Sequence, residues 1–185
     1  LETHPYLNPH VLPDGTRAYG RHPNEVGGYV DAFEPELHPD KCIGFLPTSF
    51  SYRDSSLAND YPTFDEYELH VWAALLRGAK TLWPFGGLDM GDRPATYEGV
   101  RYMFENTAAL ERLLLFGSRT DLERTGESER GFWTLGDERV AVILNYTSAP
   151  VTADLYVLPD GEWREFRGTR AFKIAGGVAD RALEI

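Results

Sequence analysis

Between Pro62 and Gly87 the chain reads PTFDEYELHVWAALLRGAKTLWPFGG, and few architectures accommodate that stretch. Thr63 stands three residues before Glu66. At that spacing a hydroxyl and a carboxylate each satisfy one of the unpaired amides that open a helix. Leu69, Trp72, Leu75 and Leu76 then share one helical face. Gly78 supplies the left-handed turn that ends the helix, and Lys80 to Phe85 follow at once as a short aromatic strand. That strand closes on Trp83-Pro84-Phe85-Gly86-Gly87. A strand that only needs burial has no use for such an ending, which is suited to presenting aromatic faces at the mouth of a site.

The surrounding segments extend the pattern. Residues 1–25 are rich in Pro, His, Asn and Gly without a period of 2 or 3.6, so they are expected to form a loop or irregular arm. GGYVDAF (27–33) is expected to be a buried strand, and CIGFL (42–46) a second. A Ser-rich loop leads from there to the helix at Thr63. After the aromatic strand, Pro94 starts a long helix over 95–116 that carries Val100, Phe104, Leu110, Leu113 and Leu114.

Beyond residue 118 the texture changes. GFWTLGDERVAVILNYT alternates around Gly136-Asp137 and reads as a β-hairpin with Val140, Val142 and Leu144 inward. VTADLYVLPDGEWREF repeats the design with Pro-Asp-Gly at its turn, and AFKI and RALEI complete a run of short strands without helices. Strand and helix therefore alternate first, and strand alone follows. The division is expected in 117–126, which gives an α/β part over 1–117 and a small antiparallel sandwich or barrel over 118–185. The chain begins without methionine and stops on an apolar strand, so it is expected to be a segment of a longer polypeptide.

Composition removes several functions. A net charge of −11 with dispersed acids opposes binding to a phosphate backbone, so no nucleic-acid partner is expected. No apolar run reaches the ~18 residues of a membrane span, and the opening residues lack the basic-then-apolar pattern of a leader. A soluble protein is expected, cytoplasmic or secreted. The single cysteine, Cys42, sits in the apolar KCIGFL and is expected to be a buried, inert thiol. Asn145-Tyr146-Thr147 is a formal glycosylation sequon. The five histidines show no metal-ligand spacing, and His70, beside Trp72, reads as structural. Dinucleotide, phosphate-loop and α/β-hydrolase fingerprints do not occur, so neither a metal nor a cofactor is expected.

The order of these pieces resembles the last βα units of (β/α)8-barrel glycoside hydrolases with their C-terminal β-sandwich. The resemblance rests on P-T-x-D-E opening a helix, WAALLRGAK feeding an aromatic strand, NTAALERLLLFG, and VAVILNYTSAPVTADL. It implies that Trp83 and Phe85 stand at the rim of the eighth strand, where a sugar ring stacks, because barrel sites lie at the carboxyl ends of the strands. It also implies an oligo- or polysaccharide substrate, hydrolysed by a carboxylate pair. The remainder of the barrel would come from the same polypeptide or a companion chain.

Carboxylates follow several of the expected strands: Asp31, Glu34, Glu36, Asp40, Asp54, Asp89 and Asp92. Glu34 is the best candidate for proton donor, since it leaves the 27–33 segment between Phe33 and Pro35 and an apolar flank raises a carboxyl pKa. Asp89, Tyr52 and Arg53 are candidates for binding sugar hydroxyls, or in the case of Arg53 for pairing with Asp54 or Asp60. In the large retaining clan the nucleophile ends strand seven and the donor strand four. The segment in seventh place, CIGFLPTSF, carries no carboxylate at its tip, and strand four is not in this chain. A non-catalytic carbohydrate-binding or structural module is therefore the alternative function.

Overall fold

The computed structural model describes residues 2–7, 9–33, 35, 38, 40–50, 61–86, 94–124 and 128–147, and beyond these the strand segments 152–158, 164–165, 171–175 and 178–184. The chain divides into two compact units, Leu1–Glu105 and Asn106–Ile185.

The first unit is mixed α/β. Its sheet has three parallel strands, β1 (Glu2–Thr3), β4 (Ile43–Phe45) and β5 (Ala79–Leu82), in the order β1-β4-β5. A small antiparallel pair, β2 (His10–Val11) with β3 (Arg17–Ala18), lies between β1 and β4 in sequence. Helix α1 (Val26–Asp31) connects toward β4, α2 (Phe64–Leu76) joins β4 to β5, and α3 (Pro94–Ala109) follows β5. The division between the units falls inside α3.

Helix α2 is the centre of this unit. Thr63 caps it, accepting from the Glu66 N–H, while the Glu66 carboxylate accepts from the Thr63 N–H at 2.8 Å. Gly78 closes it at φ 103°, a backbone angle natural to glycine. Tyr67, His70, Val71, Trp72, Ala73, Ala74, Leu75 and Leu76 are all buried. A helix covered on so many sides behaves as a core helix rather than a surface one.

The segment 27–33, expected to be a strand, is largely helix α1. Its start is encoded upstream, in a 3₁₀ turn at Pro23–Glu25 where His22 accepts from the Asn24 N–H and Glu25 accepts from the His22 N–H. Val26 and Val30, one helical turn apart, are both fully buried. Gly27 is small where it must be: a Cβ there would come within 3.0 Å of the Arg77 side chain. The 1–25 arm is likewise more ordered than expected, because Glu2–Thr3 pair with Gly44–Phe45 and supply the first parallel strand. Cys42, expected to be buried, is exposed just before β4, with its sulfur 3.4 Å from the Thr81 hydroxyl. The apolar burial begins one residue later, at Ile43.

The second unit is dominated by antiparallel strands. The helix expected over 95–116 breaks at Leu110, whose φ of −110° and ψ of 2° are not helical, and resumes as α4 (Glu111–Phe116). Strands β6 (Ser118–Arg124), β7 (Ser128–Leu135), β8 (Glu138–Asn145), β10 (Arg164–Glu165) and β11 (Ala171–Ala175) form one sheet in the order β10-β11-β8-β7-β6. Most of the expected linker at 117–126 is thus strand β6. The β7–β8 hairpin turns at Gly136-Asp137 with Leu135 opposite Glu138, and Gly136 has φ 60°. Val140, Val142 and Leu144 are buried, as is Ile143 on the other face. β9 (Thr152–Leu158) pairs with β12 (Val178–Glu184), while β10 pairs with β11. The expected hairpin across Pro159-Asp160-Gly161 is therefore not the pairing formed; a seven-residue match with β12 replaces it.

Asn145, the sequon residue, is buried and its carbonyl oxygen accepts from both the N–H and the hydroxyl of Thr147, each at 2.8 Å. No helix among the described residues is long and apolar enough to cross a membrane.

Candidate functional site

The three parallel strands leave the sheet in the same manner. β1 ends at Thr3 and Pro5 follows two residues on; β4 ends at Phe45 and Pro47 follows; β5 ends at Leu82 and Pro84 follows. Proline has no N–H to donate, so it ends a ladder. One pairing resumes past the prolines: Thr48 bridges Phe85, with the Phe85 N–H on the Pro47 carbonyl and the Ser49 N–H on the Phe85 carbonyl, both at 3.1 Å. The Ser49 hydroxyl also donates to the Phe85 carbonyl.

A buried knot holds these exits together from below. His70 of α2 is fully buried; its Nε2 lies 3.0 Å from the Pro5 carbonyl and its Nδ1 accepts from the Thr48 N–H at 3.4 Å. A neutral imidazole protonated at Nε2 fits both partners. Burial drives its pKa down to about 3, against the weaker opposing effect of the Pro5 hydrogen bond. The Leu7 N–H reaches the Thr48 hydroxyl at 3.0 Å, and the His70 ring meets Phe45 edge-on at 4.8 Å. His70 is a structural pin, as its sequence context suggested.

Above the knot, the exits bring an aromatic cluster together. Tyr6 lies 5.1 Å from Phe50 and 5.4 Å from Phe85, and Phe50 lies 5.4 Å from Phe85, in tilted and edge-on geometries. His4 stacks against Tyr6 at 5.2 Å. Trp83 is 61% exposed and Phe85 45%. Gly86 explains one of the two glycines that end the aromatic strand. It has φ 86°, and a Cβ there would overlap the Phe50 side chain. The chain turns sharply under Phe50 at a point where only hydrogen fits.

Next to this cluster is a cleft of about 570 Å³ lined by Thr3, His4, Pro5, Tyr6, Gly20, Arg21, Tyr29 and Phe33. Its size falls in the range of small-molecule sites. Gly20 and Arg21 are set in place by bonds from both backbone N–H groups to the Leu7 carbonyl, at 2.7 and 3.3 Å. The arm is anchored again at Glu66, which binds the Arg17 guanidinium and accepts from the Tyr19 hydroxyl at 2.7 Å. Burial raises the Glu66 pKa, but the Arg17, Thr63 and Tyr19 hydrogen bonds together with the Arg17 charge outweigh it, so the carboxyl is held below its usual value. Tyr19 is pushed up to about 12 by burial and by its bond to Glu66. This carboxylate fastens the arm to the start of α2.

Of the residues singled out in the sequence, Trp83 and Phe85 stand at the exit of β5, and Phe85 joins the cluster while Trp83 does not line the cleft. Glu34, Tyr52, Arg53 and Asp89 lie outside the described residues, as do Glu36, Asp54 and Asp92. The element before Glu34 is a helix and not a strand, so its strand-tip argument falls away. Asp31 binds Arg77 at 2.9 Å, and exposed Asp40 sits 3.5 Å from His38. Sequence reasoning missed His4, Tyr6, Phe50, Arg21, Tyr29 and Phe33. The available signal was the proline two residues past each strand, which marks where three chain segments leave one sheet together.

No family description matches the chain, and no curated protein matches it. Among solved structures it is similar to AmyP in complex with maltose, at 12% identity and a TM-score of 0.43, covering 88% of this chain and 34% of that one. It is also similar to a structure described as "Family GH13_31 enzyme", at 13% identity and a TM-score of 0.33, covering 98% of this chain and 41% of that one. The chain thus spans little more than a third of the length of the structures it resembles.

Proposed function

We propose that the first unit is the closing βα part of a (β/α)8 barrel belonging to a glycoside hydrolase, and that the strands beyond it are the β-sandwich that follows such a barrel. In domain terms the proposal is a barrel segment over 1–117 and a sandwich over 118–185. The exposed rim binds an oligo- or polysaccharide, and a carboxylate pair in the complete protein hydrolyses it. The rest of the polypeptide or a companion chain completes the barrel. Glu34 remains the proposed proton donor, with Asp89, Tyr52 and Arg53 as proposed sugar contacts beside Trp83 and Phe85.

The observation that carries this reading is the convergence of three parallel strand ends on one aromatic cluster, with Trp83 and Phe85 open to solvent beside it. Parallel sheets bind ligands at their carboxyl ends, and aromatic faces suit the CH face of a sugar ring. One observation favours the alternative, a non-catalytic carbohydrate-binding module: the described lining of the cleft contains no carboxylate.

The test is Trp83→Ala in the complete protein. Glycan affinity should fall about tenfold or more, by analogy with the ~1–3 kcal/mol of a nucleobase stacked on an aromatic side chain, while the melting temperature stays nearly unchanged. Unchanged affinity with a lowered melting temperature would make Trp83 a packing residue and remove the reading. Hydrolysis by the protein, lost in Glu34→Gln, separates the enzyme from the binding module.

A further inference from the structure

We infer that the cleft beside the rim takes a sugar unit bearing an anionic group, and that Arg21 is its specificity-determining residue. This rests on the proposed carbohydrate site and adds the class of sugar.

The chain carries a net charge of −11, yet the described lining of this cleft is Thr3, His4, Pro5, Tyr6, Gly20, Arg21, Tyr29 and Phe33. One fixed cation is present and no acid. Among the described lining residues of so acidic a protein, the one fixed charge is therefore positive. Arg21 has no carboxylate partner among the described residues; its one described side-chain contact is with the Tyr29 ring, 5.6 Å below the guanidinium carbon. Other arginines of this unit are committed: Arg17 to Glu66, Arg77 to Asp31, Arg101 to Glu98 and Glu105.

The Tyr29 ring takes up one side of the guanidinium at 5.6 Å, and the N–H donors lie in the guanidinium plane, the fork that receives a planar anion side by side. The backbone under Arg21 is held by the Leu7 carbonyl, and Leu7 is tied through Thr48 to the buried His70 pin. The backbone of Arg21, whose side chain is exposed, is therefore tied through Leu7 and Thr48 to the buried His70. Tyr6, Tyr29 and Phe33 give the same cleft aromatic walls for a ring. A ring with an attached anion satisfies both features; a neutral sugar leaves the guanidinium without a counter-charge, and a bare inorganic anion leaves the walls unused.

The experiment is calorimetric titration of the complete protein with three probes of equal length: a uronic-acid oligosaccharide, its carboxyl-reduced neutral counterpart, and a sulfated oligosaccharide. At least one anionic probe should bind ten times more tightly than the neutral one, and which of the two wins assigns the anion as carboxylate or sulfate. Arg21→Gln should lower the affinity for the anionic probe to that for the neutral one without changing the melting temperature, and Arg21→Lys should restore the preference only in part. Equal binding of acidic and neutral probes, or a preference that survives Arg21→Gln, overturns this inference and leaves the carbohydrate site standing. Absence of binding by all three removes both.

Discussion

Two tryptophans, Trp72 and Trp83, stand eleven residues apart and meet opposite fates. Trp72 is 1% exposed in the middle of α2, whereas Trp83 is 61% exposed just past the end of β5. The regions around them differ in the same way. Beneath the sheet, His70, Phe45, Thr48 and Pro5 are closed off and fully bonded to one another. Above its carboxyl edge, Tyr6, Phe50 and Phe85 touch one another, and while Phe50 is buried, Phe85 and half-buried Tyr6 keep faces open. Aromatic content therefore says little on its own. What separates Trp72 from Trp83 is that one lies in the covered helix and the other past the point at which β5 stops pairing with β4.

The largest expected effect sharpens that contrast. Trp72→Ala should cost ~3–5 kcal/mol of stability, the usual range for emptying a core of its largest side chain, while Trp83→Ala should cost under about 1 kcal/mol. Denaturant titration of both variants measures the difference. Equal losses would mean that the two regions are one core.

The second effect is a pH dependence belonging to the buried region alone. The His70 pKa lies at about 3 in the folded protein, below its ordinary value of 6.5, chiefly through burial. As pH falls below 6.5, the unfolded chain takes up a proton that the folded chain refuses, so stability is full above that point and is lost progressively toward pH 3. Each pH unit in the window removes about 1.4 kcal/mol, or roughly 2 kcal/mol by pH 5. His70→Gln, which keeps a donor for the Pro5 carbonyl, should flatten this slope between pH 6.5 and 5. A slope left intact would place the acid sensitivity elsewhere.

A smaller effect belongs to the rim. Gly86→Ala forces a methyl group into Phe50 at a left-handed backbone angle, at a cost of about 1–3 kcal/mol. Because Phe50 carries Tyr6 and Phe85 with it, glycan binding should weaken together with stability. A variant as stable as the parent would show that the turn at Gly86 yields freely.

These contrasts also separate what the sequence discloses from what it hides. The α2 start was legible because Thr63 and Glu66 form a local, four-residue pattern, and so were the stop at Gly78 and the hairpin at Gly136. Helix α1 was not, since Gly27 and Gly28 mask the Val26–Val30 pair and the start depends on histidine, an unusual cap. β1 has two residues, too few to show any period, and exists because β4 receives it. The partner of β9 begins at Val178, twenty residues past Leu158, and a turn motif at Pro159 cannot reveal it. The exposed aromatic ending of β5 was legible; the cleft was not, because it is assembled from the arm that carries no periodic signal.

The central claim is that the open rim meets a sugar ring, and the most direct measurement is intrinsic fluorescence of the complete protein titrated with an oligosaccharide. Trp83 is the exposed tryptophan of the first unit and Trp72 the buried one, so ligand stacking should give a saturable blue shift with protection from acrylamide quenching. Both changes should vanish in Trp83→Phe, with the emission of the remaining tryptophans unaltered. A shift that persists in Trp83→Phe, or no saturable change in the parent protein across a panel of neutral and acidic glycans, would contradict the account.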